Sequence, residues 1–138
     1  AHASGKVGMA AIVYVGVGFN LTDPKAAYDA SKYDGISFMA RKGEGTGRVR
    51  LKVPDANTDP DGGKCDQCFN DFGVDLKLKD EWTQYFVPFS AMKQMAGWGS
   101  PRPPAIDPKT ISSIQFQVAD KGQAFDLWID DLAFVKCN

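Results

Sequence analysis

Histidine and glutamate are nearly missing from this chain. His2 is the only histidine, and of 17 acidic residues only Glu44 and Glu81 are glutamates. One histidine beside the terminus excludes a Ser-His-Asp triad, a histidine-based zinc centre and a histidine general base in a core cleft. An excess of positive charge is also lacking. With 16 Lys and Arg against those acids, the net charge is −1 and offers no field for nucleic acid or an anionic membrane. Long hydrophobic runs are absent too. Met9 to Val17 is the longest, broken by Tyr14 and Gly16, and falls far short of the roughly 20 residues that span a bilayer. No charged segment with an apolar run stands at Ala1-His2-Ala3-Ser4, so the chain reads as a mature or excised fragment.

What is abundant is aspartate, with 14 glycines and 8 prolines. Glutamate favours helix interiors, whereas aspartate favours turns, caps and calcium loops, so the bias points to a turn-rich β protein. At 138 residues, 43% hydrophobic and 24% charged, residues 1–138 make one globular domain with one core.

Three cysteines are present: Cys65, Cys68 and Cys137. Cys65-Asp66-Gln67-Cys68 has the spacing of redox and zinc motifs, but a zinc ribbon needs a second pair, and a thioredoxin-type pair opens a helix after a strand. Here the pair sits in a Pro/Asp/Gly-rich loop. A local Cys65–Cys68 disulfide and a bridge from one of the two to Cys137 both remain open, and either implies an oxidising, extracytoplasmic setting. Asn20-Leu21-Thr22 matches a glycosylation triplet that carries meaning only in a eukaryotic secretory source.

Short alternating runs separated by turns predict about seven or eight strands. Met9–Asn20 alternates imperfectly; Gly35–Arg41, Val74–Leu78 and Thr83–Phe89 follow as strands. Arg48–Val53 sets Val49, Leu51 and Val53 against Arg48, Arg50 and Lys52. Ser113–Val118 sets Ile114, Phe116 and Val118 against Gln115 and Gln117, and Phe125–Phe134 closes the chain. One helical turn is expected in Ala91–Gly97. Such alternation belongs to antiparallel sheets with one wet face.

Five of these stretches carry a resemblance when taken in order: Tyr33-Asp34-Gly35-Ile36-Ser37-Phe38, Val49-Arg50-Leu51-Lys52-Val53-Pro54-Asp55, Trp82-Thr83-Gln84-Tyr85-Phe86-Val87-Pro88, Ile114-Gln115-Phe116-Gln117 and Phe125-Asp126-Leu127-Trp128-Ile129-Asp130-Asp131. Together they resemble the galactose-binding-like carbohydrate-binding modules, in particular the family 11 modules of bacterial cellulases and the complex I intermediate-associated domains. The resemblance spans about Val17 to Val135. It implies an all-β jelly-roll sandwich of two antiparallel sheets, a β-glucan groove on one sheet and often a structural calcium. Such modules usually begin with a further strand bearing an acidic pair. This chain is expected to lack it, leaving an open sheet edge that a strand from another chain could complete.

A glycan groove needs aromatic platforms for sugar CH faces and planar polar groups for hydroxyls. Arg50, Lys52, Gln115 and Gln117 fall on wet strand faces, with Tyr14 and Met39 as possible neighbours; the bland alternative is an ordinary solvated face. Trp98, bordered by Gly97 and Gly99, is either a platform or a plug under its loop. Trp128 either stacks on sugar or covers the outside of the second sheet, and Trp82 reads as structural. Asp55, Asn57, Asp59 and Asp61 place oxygens at every second residue, suiting calcium or a set of Asx-turns. Asp130 and Asp131 match the acidic pair that helps hold calcium in the resembled modules.

The expected function is non-catalytic binding of a β-glucan or related plant polysaccharide, targeting an attached or partner glycoside hydrolase, in a secreted and bacterial setting. Two alternatives stand beside it. One is an assembly subunit that completes its sheet with a neighbour's strand. The other is a small glycosidase, which would need two carboxylates across a cleft.

Overall fold

In the computed structural model, which describes residues 1–138, the alternating runs become eight strands. They are β1 (His2–Lys6), β2 (Val15–Asn20), β3 (Gly35–Lys42), β4 (Arg48–Val53), β5 (Phe72–Lys77), β6 (Thr83–Pro88), β7 (Ser113–Val118) and β8 (Ala124–Val135). All pair antiparallel in two four-stranded sheets, ordered β1-β8-β3-β6 and β2-β7-β4-β5. This is the expected all-β sandwich.

Period-two patterning puts one face of each strand inward. Ile36, Phe38 and Ala40 of β3 meet Leu51 and Val53 of β4, Phe116 and Val118 of β7, and Leu127 and Ile129 of β8, all buried. The Phe38 ring meets Phe116 edge-on at 5.0 Å and stacks on Tyr85 at 5.4 Å, tying the two sheets together at the centre. Truncating Phe116 to alanine would cost about 3–5 kcal/mol.

The N-terminus corrects one expectation. A strand does precede the Met9–Asn20 stretch: β1 pairs with β8 in the register His2↔Trp128 to Lys6↔Ala124. Its sequence, His-Ala-Ser-Gly-Lys, carries no acidic pair and little apolar pattern. It is held by backbone pairing along β8, including the Ile129 amide on the Ala1 carbonyl at 2.9 Å, and by stacking of His2 on Trp128 at 3.7 Å. The edge of β8 is therefore covered. Two further boundaries move: β2 begins only at Val15, and the turn expected in Ala91–Gly97 lies earlier, as a 3-10 turn at Phe89–Ala91.

Candidate glycan-binding groove

Because β4 and β7 are neighbours, their outward side chains form one floor. Arg50 pairs with Gln117 and Lys52 with Gln115 across the ladder. The groove above that floor encloses about 740 Å³, and Tyr14, Arg50, Lys52, Trp98, Gln115 and Gln117 all line it. Six of the eight residues named for the groove are thus brought together, and Met39 and Trp128 are not.

The floor is polar and electrically balanced. The Arg50 guanidinium donates to the Lys93 carbonyl at 2.6 Å and pairs with Asp75 at 3.2 Å. The Lys52 ammonium pairs with Asp71 at 3.0 Å and donates to the Phe69 carbonyl at 3.2 Å. Asp71 Oδ1 is buried without a partner, so Lys52 alone offsets that carboxylate. Gln115 donates to the Ser113 hydroxyl at 3.0 Å, while Gln117 opens to the groove. Arg50 and Lys52 are each matched by a carboxylate, and Lys121 at the rim donates to the Ala11 carbonyl at 2.8 Å, so the floor itself suits a neutral, hydroxyl-rich ligand better than an anion.

The walls are apolar. Ile12 and Tyr14 stand on one side, in the segment between β1 and β2, and Phe69, Met95 and Trp98 belong to the loops on the other. All five are exposed, Ile12 at 87% and Trp98 at 42%, which is the wrong place for large apolar groups unless something packs on them.

Trp98 is held by its neighbours. Gly97 and Gly99 both adopt positive φ, at 85° and 93°, a conformation cheap only for glycine. A side chain at Gly99 would meet Asn70 Cβ at 2.9 Å. Asn70, 2% exposed, donates through Nδ2 to the Met95 and Trp98 carbonyls at 2.9 and 2.6 Å and accepts from the Met95 amide at 2.9 Å. Arg102 adds donors to the same two carbonyls. Phe69, Asn70, Asp71 and Met95 escaped the sequence reading. The one local signal was the run Cys68-Phe69-Asn70-Asp71, with an exposed aromatic and two polar residues following the cysteine pair.

Trp128 does not join this groove. It lies on β8, in the other sheet, where its ring is sandwiched between His2 at 3.7 Å and the Arg41 guanidinium at 4.9 Å. Arg41 also faces Trp82 at 5.6 Å, so both tryptophans cover the outside of that sheet. Met39 is on the same sheet, on β3 opposite Asp130.

The acidic loop does not fit a calcium ion. Asp55, fully buried, accepts from the amides of Asn57 and Asp107 at 2.9 and 2.8 Å. Asp59 accepts from the Asp61 amide at 3.1 Å, the Ser112 hydroxyl at 2.6 Å and the Lys25 ammonium at 2.6 Å. Lys25 reaches Asp61 as well, at 3.2 Å. The oxygens are thus occupied by hydrogen-bond donors, no three acids converge as a metal site, and Asp130 lies exposed on β8. Asx-turns and one lysine organise the loop. Burial opposes charge on Lys25 and Asp59 alike, but their mutual hydrogen bond and attraction prevail, raising the lysine pKa and lowering that of the aspartate.

The cysteines divide as Cys65–Cys68, bridged with Cα atoms 5.2 Å apart, and Cys137, free and exposed.

Fold and groove together define a class: a jelly-roll carbohydrate-binding module. The chain belongs to the family described as carbohydrate binding domain 30, whose model matches residues 3–136. Among solved structures it is similar to the family 11 carbohydrate-binding module of the cellulosomal cellulase Lic26A-Cel5E of Clostridium thermocellum. The TM-score is 0.71 at 18% identity, over 99% of this chain and 74% of that one. The family 11 module from Clostridium thermocellum in complex with a β-1,3-1,4-mixed-linked tetrasaccharide gives 0.70 at 18% identity, over 99% and 75%. A family 30 module gives 0.56 at 12% identity, over 96% and 91%. The chain matches none of the curated proteins by sequence.

Proposed function

We propose that this module binds single chains of a neutral β-glucan in the groove, without chemistry, and thereby keeps an attached or partner glycoside hydrolase on its polysaccharide outside the cell. The observation that carries the reading is the groove's division of labour. Tyr14 and Ile12 face Trp98 and Phe69 across a floor of amides and neutralised cations. A β-linked glucose unit has apolar CH faces and a rim of equatorial hydroxyls. Standing edge-on, a chain sets its faces against the walls and its hydroxyls on Arg50, Gln115 and Gln117. A flat crystalline surface would not enter such a slot. The similar family 11 module bound to a mixed-linked tetrasaccharide supports a glucan as the first ligand to try, and the Cys65–Cys68 bridge supports an oxidising compartment.

The glycosidase alternative finds little support in the groove, because Asp71 is the one carboxylate lining it and is ion-paired with Lys52. The assembly alternative rested on an uncovered edge at the start of the sheet, which β1 occupies. Affinity electrophoresis in gels containing mixed-linked β-1,3-1,4-glucan tests the reading, and retarded migration is expected. No retardation by any soluble β-glucan would overturn it; release of reducing sugar would favour the enzyme, and concentration-dependent oligomers the assembly subunit.

A further inference from the structure

The Cys65–Cys68 bridge encloses two residues, Asp66 and Gln67, and both are bonded to the strip of chain beside Trp98. The amides of Asp66 and Gln67 donate to the Ser100 carbonyl at 3.0 and 3.3 Å, and Ser100 returns a bond to the Gln67 carbonyl at 3.2 Å. The Gly99 amide donates to Gln67 Oε1 at 3.2 Å. Immediately after Cys68 come Phe69, held at φ 74°, and Asn70 with its bonds to Met95 and Trp98. The anchors on both sides of Trp98 therefore run through the five residues Asp66–Asn70, and the bridge closes the turn at the head of that segment. Both sulfur-bearing residues are half-buried, so a small thiol can reach them.

We propose that the Cys65–Cys68 disulfide is a thiol-sensitive latch that sets the position of the Trp98 wall, making glycan affinity depend on the redox state of this pair. The proposal rests on the groove being the glycan site. The step is thiol–disulfide exchange with a dithiol: its thiolate attacks one sulfur to form a mixed disulfide, and its second thiol displaces the protein. The S–S bond breaks, two electrons and two protons pass to the cysteines, and the dithiol leaves as a cyclic disulfide. In the opened state only the hydrogen bonds of Asp66 and Gln67 to Ser100 and Gly99 hold the turn, and without the covalent closure it relaxes away from them. The positive-φ glycines on either side of Trp98 then let the wall swing. The floor does not follow, because Arg50 and Gln117 belong to the β4–β7 ladder.

The test uses the full chain carrying Cys137→Ser, so that only this pair responds. Calorimetric titration with mixed-linked β-1,3-1,4-tetrasaccharide is run on the oxidised protein and on the protein reduced by dithiothreitol, with Cys65→Ser/Cys68→Ser as a permanently open form. Reduction is expected to weaken binding about tenfold or more, equivalent to ~1.4 kcal/mol, and the double variant to match the reduced protein. Trp98→Ala should bind weakly and equally in both states. Acrylamide quenching assigned to Trp98, by difference from Trp98→Phe, should rise on reduction. Equal affinity and equal quenching in the two states would overturn the latch, as would a Trp98→Ala protein that still loses affinity on reduction. If even the oxidised protein ignores every glucan, the functional reading fails, and quenching alone decides the latch.

Discussion

Arg50 and Gln117 stand opposite each other across the β4–β7 ladder, and both reach the floor of the groove. They are not equivalent. Gln117 opens to the groove, whereas the Arg50 side chain is only 13% exposed and braces the Lys93 carbonyl and Asp75. Gln117→Ala should weaken glucan binding by about 0.5–1.5 kcal/mol and leave the thermal midpoint within a degree or two. Arg50→Ala should weaken binding and also lower stability by about 1.5–3 kcal/mol, since a charge-assisted bond to a backbone carbonyl is lost. Calorimetry and thermal melts on the two variants separate these effects; unchanged affinity in both would mean the floor is not the contact surface.

The three tryptophans should separate into two behaviours. Trp98→Ala removes an exposed groove wall, so affinity should fall by about 1–2 kcal/mol with little change in folding. Trp128→Ala empties the sandwich between His2 and Arg41. It should cost about 2–3 kcal/mol of stability and leave affinity unchanged. Trp82→Ala should resemble Trp128→Ala in a milder form. Urea unfolding alongside titration reads both quantities, and loss of affinity in Trp128→Ala would move the site to the other sheet.

Acid should act through Asp59. Its pKa is lowered in the fold, so its contribution is present above the unfolded value of about 3.9 and is lost as pH falls through the folded value. Lys25 has the opposite sign: its raised pKa contributes below the unfolded value of about 10.4 and is lost as pH rises through the folded one. Lys25→Met removes a cation that lowers the aspartate pKa, so the variant should lose stability near neutral pH and show a shallower acid limb in a urea-midpoint profile, converging on the wild type in acid. Profiles that superimpose would show that the pair does not govern the loop.

The same lysine makes a forecast about metal. With Asp59 and Asp61 engaged by Lys25, millimolar calcium and a calcium chelator should give the wild-type protein the same melting temperature. A clear rise with calcium would mean that the ion displaces the lysine.

Deleting residues 1–6 should expose the edge of β8 from Ala124 to Trp128. The truncated chain should self-associate with rising concentration in sedimentation velocity, while the full chain stays monomeric. A monomeric truncation would show that β8 protects itself.

Much of the fold was legible because its strands obey a local rule. The alternation in Arg48–Val53 and Ser113–Val118 depends only on the pleat, and once β4 and β7 pair, Arg50, Lys52, Gln115 and Gln117 must share a face. β1 was not legible, because Ala3 and Gly5 carry no pattern of their own and the strand is templated by β8. Trp128 shows the limit of alternation: period two says a residue faces outward, not from which sheet. The acidic loop shows another. Oxygens at every second position serve calcium and Asx-turns equally, and the deciding residue, Lys25, lies thirty positions before Asp55. Asn70 was hidden for the same reason, since its partners Met95 and Trp98 are distant in sequence.

The groove crosses the β2-β7-β4-β5 sheet, whereas the first and last strands both belong to the other one. A reporter or enzyme fused at either end would therefore hang behind the module rather than over its ligand. A label at either terminus would leave the proposed groove open to a single glucan chain, like a brush held by the handle.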